Sequence, residues 1–284
     1  MRYRWLPLPA IRSRMSAALR SRLAREYLPA ARCDDDLFLV EFPKSGMTWL
    51  TFLIANVNAQ LSGDRRAVTF FNINDFVPDV WTNRYATMPR TAVPGYRCFK
   101  SHAPYLRQYR KVIYLVRDPR DVLVSFWVFL RGLGWWRGTL EELVADRQHG
   151  IEGWTRHVSG WLSGIDAAAS FSLIRYEDLL ANTTGELKRL YGLLGLPVSE
   201  EVLAAAIERS SIERMRALDS QFAAGHPARR RCEFVRRHPA GGGRIALPAP
   251  VRDLIEQEAA SLMERLGYSH PGADEALARL PADA

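Results

Sequence analysis

The amino-acid sequence predicts an α/β fold in which helices flank a central, mainly parallel sheet. Two observations predict it. Short β-rich runs at Leu37 to Phe42, Arg97 to Lys100, Val112 to Arg117 and Phe171 to Arg175 alternate with segments of helical periodicity, as in successive strand–helix–strand units. Two of these runs also lead directly into helix-start signals, and such junctions face the ligand crevice at the carboxyl ends of parallel strands. The chain has 284 residues, 48% apolar and 25% charged, which suits one domain with a sizeable core. That domain is expected over residues 33–270, between a basic segment at 1–32 and a tail at 271–284.

The first junction is Phe42-Pro43-Lys44-Ser45-Gly46-Met47-Thr48-Trp49, after the apolar run Leu37 to Val40. A strand that turns through a loop bearing Lys and Gly into a helix offers one anion several N–H groups, a positive dipole end and an ammonium. The G-x-x-x-x-G-K-[ST] spacing of an ordinary NTPase loop is missing, because Lys44 precedes Gly46. The large Trp49 suits stacking on a base.

The second junction is Lys111 to Arg117 followed by Asp118-Pro119-Arg120-Asp121 and the apolar Val122 to Leu130. Asp118 suits the N-cap and Pro119 the first helical position. Parallel strands would bring Lys44 and Arg117 to one crevice. Further along, Glu177 to Leu180 reads as a helix and Asn182-Thr183-Thr184 as a loop after it. Val251 to Leu266 reads as a closing amphipathic helix ended by Gly267.

With both junctions in view, the chain resembles the sulfotransferases that use 3′-phosphoadenosine 5′-phosphosulfate (PAPS). The resemblance spans residues 37 to 268 and rests on separated motifs in the right order. It implies a P-loop-NTPase-like sulfotransferase fold. The first loop is similar to the family's P-K-S-G-T-T-W, which implies that Lys44, Ser45, Gly46, Met47, Thr48 and Trp49 hold the 5′-phosphosulfate. Met47 stands for the first threonine, removing a hydroxyl and keeping an N–H for the anion. Arg117 and Ser125 resemble the pair that binds the 3′-phosphate. Phe99-Lys100-Ser101-His102-Ala103-Pro104 resembles a K-T-H-x-P element, which implies that His102 is the general base. Tyr176, in a Y-E-D match, is implied near the adenine, and Ser210 sits where the family has T-S-F. The last motif, R-K-G-x-x-G-D-W-K, aligns with Arg236 to Arg244. It keeps Arg236, Arg237, Gly241 and a closing base, and loses the first glycine, the aspartate and the tryptophan.

The chemistry can also be argued from the residues. Transfer of a sulfuryl group to a hydroxyl or amine depends on in-line positioning and on neutralising the leaving phosphate, for which Lys44 is suited, helped by Lys100 if the strand ends adjoin. His102 can take the acceptor's proton, since an imidazole titrates near neutrality. No metal ligand set is expected: His149, His157, His226, His238 and His270 lack any zinc-type spacing. A nucleotide kinase of related fold and a non-catalytic nucleotide-binding module are the alternatives.

The net charge is +8. Residues 1–32 hold eight arginines against Glu26, and Ile11, Met15, Leu19, Leu23 and Tyr27 form an apolar stripe among them. Such a helix can pack on the domain or lie on an anionic membrane surface, the second giving peripheral contact through 11–28; an Arg-rich transit peptide is a third reading. The cluster of Arg229, Arg230, Arg231, Arg236, Arg237 and Arg244 comes without a helix-turn-helix or zinc-finger pattern, so no nucleic-acid partner is expected. Three cysteines without paired spacing and no membrane-length apolar run point to a cytoplasmic protein. Aromatics in 69–96, 130–161 and 218–234 suit a small-molecule or lipid-like acceptor, though each can equally be core. The family's K-x-x-x-T-V-x-x-x-E pairing segment is not matched at 244–253, which leaves the oligomeric state open.

Overall fold

A computed structural model of the chain describes residues 27–29, 33–80, 97–165, 168, 170–225, 235 and 247–268. Its sheet has four parallel strands in the order β2-β1-β3-β4: β1 (Leu37–Glu41), β2 (Cys98–Ser101), β3 (Lys111–Val116) and β4 (Ser170–Arg175). The four runs predicted as strands therefore form one sheet, with ends shifted by a residue. The order has a consequence for function. From β1 the chain moves to β2 on one side and then to β3 on the other, and such a reversal opens a crevice at the carboxyl ends of the strands.

Alternation along the strands splits the core into two layers. Phe38 and Val40 of β1, with Val112 and Tyr114 of β3, pack under α3 (Pro119–Gly132), α4 (Leu140–Ala145), α5 (Ile151–Ser163) and α10 (Ala249–Arg265). Leu37 and Leu39, with Ile113 and Leu115, face α1 (Met47–Leu61), α7 (Thr183–Leu193) and α8 (Glu200–Arg209). Three short or peripheral helices complete the described fold: α2 (Ile73–Phe76), α6 (Tyr176–Ala181) and α9 (Ile212–Gly225).

The local signals act as expected at several ends. Asp118 caps α3 by accepting the Arg120 N–H at 2.9 Å, with Pro119 behind it. α10 closes with Gly267 at φ 76°, its N–H donating to Glu264 and that of Tyr268 to Met263, the paired bonds of a Schellman close. Asn182 is a helix cap: its side chain accepts the Gly185 N–H and starts α7, where the sequence suggested only a loop.

A buried ionic network ties the second junction to the closing helix. Arg120 makes a two-pronged pair with Asp118 and also reaches Glu256 and the Tyr268 carbonyl. The Tyr268 hydroxyl donates to Glu177, whose other oxygen accepts the Asp118 N–H. The ends of β3, β4 and α10 are thereby locked together. Of the basic segment over 11–28 only Tyr27 and Leu28 are described, both buried in the core; the six arginines of the second basic cluster and the segments 1–26 and 269–284 lie outside the described residues. Among the described residues, no helix is long and apolar enough to cross a membrane.

Candidate functional site

The first loop is built by strain and by its own hydrogen bonds. Lys44 has φ 77°, the one non-glycine among the described residues in the left-handed region, and Gly46 follows at φ 115°. Ser45 is buried, its hydroxyl donating to the Phe42 carbonyl at 2.8 Å. These bends place the start of α1 and its amides over the end of β1. Lys44 Nζ lies 4.3 Å from the centroid of the Phe129 ring on α3.

One amide is already committed. The Met47 N–H, expected for the anion, donates to Oε2 of Glu41 at 2.8 Å, and this corrects the sequence reading of Met47. The physical reason is that Glu41 ends β1 beneath the loop, where the Met47 and Lys44 backbone amides meet its buried carboxylate. Burial pushes the Glu41 carboxyl up to about 7, against the pull of the Met47 amide and the Lys100 and Lys44 ammoniums.

The end of β2 lies beside this loop, because Val40 pairs with Ser101. His102 follows, with Nδ1 3.7 Å from Glu41 Oε1. Burial, and then the Lys100 ammonium, hold its imidazole well below the ordinary range, so it is neutral near pH 7. Lys100 is paired with Asp79 at 3.4 Å, in a segment that bonds to the edge of β2 through Val80 and Pro78. Lys44, Lys100 and His102 are thus brought to one place by adjoining strands.

The ends of β3 and β4 supply an aromatic and basic wall. The Arg117 guanidinium lies 4.3 Å from the Tyr176 ring centroid and pairs with Asp121 at 3.3 Å. Tyr176 also presses on Gly46, linking the loop to Arg117. Trp49 stands edge-on to Tyr176, and its indole N–H donates to the Ser210 carbonyl. Ser210 is fully buried with its hydroxyl accepting from Asn56, so its side chain faces the protein and its carbonyl braces Trp49. Thr48 and Ser125 are half-buried on α1 and α3. Arg236, Arg237 and Gly241 lie outside the described residues.

Amides at a helix start, an ammonium, an arginine and two aromatic faces form a donor set that fits an aromatic nucleotide with separated phosphates. Among the described residues, no group of three or more His, Cys, Asp or Glu could hold a metal ion. His157 is buried with Nδ1 2.8 Å from the Tyr114 hydroxyl, and His149 pairs with Asp146. Of the aromatics offered for an acceptor, Trp154 is core, Phe70 packs on Phe52, and Phe71 and Trp135 are exposed; Trp81 and Tyr85 lie outside the described residues.

Sequence reasoning passed over Glu41, Asp79 and Phe129, and noted Glu177 only as part of the Y-E-D match. A signal for Glu41 was present: a carboxylate closing the otherwise apolar run Leu37 to Val40 is a rare choice for a buried strand. The others depend on contacts between distant segments and carry no local mark.

Comparison with known proteins agrees with this geometry. A family model described as a sulfotransferase domain matches residues 34–241. Sulfotransferase 2B1 of Homo sapiens is 30% identical over 199 residues, covering 65% of this chain and 53% of that protein. Sulfotransferase 2A2 of Rattus norvegicus is 30% identical over 193 residues, covering 63% and 66%. The chain thus spans between half and two thirds of these two relatives. Among solved structures, a retinol dehydratase in complex with retinol and PAP superposes with a TM-score of 0.66 at 19% identity, over 86% of this chain and 85% of that one. Mouse sulfotransferase SULT7A1 complexed with PAP gives 0.62 at 19%, over 91% and 92%. At such identities the structures speak for the fold.

Proposed function

Because the chain belongs to the sulfotransferase domain family, we propose that it is an enzyme that moves a sulfuryl group from PAPS to a hydroxyl or amine of a small-molecule acceptor. The observation that carries the reading is the convergence of Lys44, Lys100, His102, Arg117 and Tyr176 at the carboxyl ends of four parallel strands. The donor supplies an activated sulfuryl group joined to a nucleotide phosphate that can leave.

The chain's own residues supply the rest. The remaining amides of the first loop, at Gly46 and Thr48, and the Lys44 ammonium bind the 5′-phosphate and neutralise the charge that gathers on it. Lys100 adds positive charge from the adjoining strand. Tyr176 and Trp49 hold the base, with Ser210 bracing Trp49. Arg117 and Ser125 bind the 3′-phosphate, together with Arg236, Arg237 and Gly241. His102, neutral near pH 7, accepts the proton from the acceptor as its oxygen or nitrogen attacks.

For the acceptor, support comes from Phe129, half-buried beside the Lys44 ammonium, and from the retinol and androsterone complexes of structural neighbours. We take the acceptor to be an apolar alcohol. Free thiols at Cys33 and Cys98 support a cytoplasmic setting. The test is incubation with PAPS labelled in its sulfur, with retinol, androsterone and 4-nitrophenol as acceptors. A labelled sulfate ester is the expected product, and phosphate transfer from ATP with magnesium in its place would refute the assignment.

A further inference from the structure

We propose that Glu41 is a positioning residue for the reaction, its carboxylate making the Glu41–His102 pair, and not the imidazole alone, the unit that takes the acceptor's proton. The inference rests on His102 being the base, and it deepens that reading.

The geometry is specific. Oε2 of Glu41 accepts the Met47 N–H at 2.8 Å, which fixes the carboxylate at the start of α1. Oε1 stands 3.7 Å from His102 Nδ1, too long for a hydrogen bond to the neutral ring but within ion-pair reach once the ring is protonated. The side chains are 3% and 15% exposed. Fixing one loop amide needs only a neutral acceptor, whereas a buried carboxylate has a large desolvation penalty unless a cation or proton joins it. A group that becomes positive during turnover lies beside it. The other charged or titratable groups facing the pair are Lys100 on β2, Lys44 in the loop, Asp79 on the edge segment, His157 on α5 and Tyr114 on β3.

The proton step balances as follows. The acceptor's O–H bond breaks and an N–H bond forms at His102 Nε2, while the acceptor oxygen bonds to sulfur. The electron pair of the broken bridging S–O bond leaves with the nucleotide phosphate. The new imidazolium is offset by the Glu41 carboxylate, which keeps its charge, and the proton later passes to water. Alone, His102 would be a poor base, since burial and Lys100 disfavour its cation. Glu41, whose carboxyl burial pushes up to about 7, is ionised above that pH and can then offset the imidazolium. Below that pH Glu41 is protonated and offsets nothing, so turnover should rise as pH climbs through about 7.

The test follows the His102 ring by nitrogen NMR against pH in the full chain, labelled at histidine and saturated with 3′-phosphoadenosine 5′-phosphate (PAP). The His102→Asn variant assigns the signal. In the wild type the ring signal should shift as Glu41 ionises near neutrality, and in Glu41→Gln that step should vanish, with protonation of the ring itself displaced further to acid. A titration curve that superimposes on the wild type overturns the proposal. If Glu41→Gln does not fold, Glu41→Asp keeps the charge but withdraws it, and a smaller acid shift is expected; an unchanged curve again overturns the idea. PAP release from PAPS by His102→Ala, measured with androsterone present, separates the two claims. Lost release with an unchanged Glu41→Gln curve removes only the role of Glu41. Wild-type release removes the base and, with it, this inference.

Discussion

Gly46 and Tyr176 fit together with no room for a methyl group: a Cβ on Gly46 would stand 2.4 Å from Cδ2 of the Tyr176 ring, at a φ of 115° that side chains rarely adopt. The contact joins the phosphate loop after β1 to the end of β4. Gly46→Ala must therefore move the loop, the ring or both. The expected result is a loss of at least about tenfold in PAP affinity by calorimetry, with roughly 1–3 kcal/mol of destabilisation by denaturant.

Lys44 is the ammonium nearest the leaving phosphate in this account. Lys44→Ala should lower turnover by about 10²- to 10³-fold, the usual effect of removing one preorganised charge-stabilising group. Steady-state kinetics with PAPS, beside a PAP titration to separate binding from chemistry, checks this. Turnover within a few-fold of the wild type would remove Lys44 from the mechanism.

Arg120 is a structural counterpart, with its charge spent on Asp118, Glu256 and the Tyr268 carbonyl. Arg120→Ala leaves Asp118 buried without its cation, and urea denaturation should show a loss of roughly 3 kcal/mol or more. The junction it holds carries Arg117, so PAP binding should weaken too.

His157 sets an acid limit on stability. Burial holds its imidazole down to about 4 in the folded chain, whereas the unfolded chain protonates near 6.5. The unfolded state then binds more protons between those values, so this contribution is complete above about 6.5 and is lost as pH falls toward 4. Its size is on the order of 3 kcal/mol. His157→Gln should flatten the dependence of unfolding free energy on pH across that window; an equally steep dependence would show that another group causes it.

Much of the site was legible because its signals are local. Asp118 and Pro119 mark a helix start in any context, the glycine of the first loop marks a bend, and apolar runs mark buried parallel strands. Parallel pairing then brings Lys44, His102 and Arg117 to one end of the sheet. What could not be read depends on which distant segment arrives beside a residue. The carboxylate of Glu41 reaches back to Met47 and across to His102, Ser210 turns its hydroxyl to Asn56, and Glu177 serves Asp118 and Tyr268. Met47 was misread for the same reason: an amide at a helix start is open to an anion only if no side chain of the protein is nearer.

Calorimetric titration with PAP, beside ATP with magnesium, tests the central claim most directly, in the wild-type chain and in Arg117→Ala. The account predicts saturable one-to-one binding of PAP, little heat from ATP with magnesium, and an affinity for PAP at least about tenfold weaker in the variant, since the proposed role of Arg117 is a charge-assisted contact with the 3′-phosphate. Preference for ATP, or PAP binding that ignores the loss of Arg117, would contradict it.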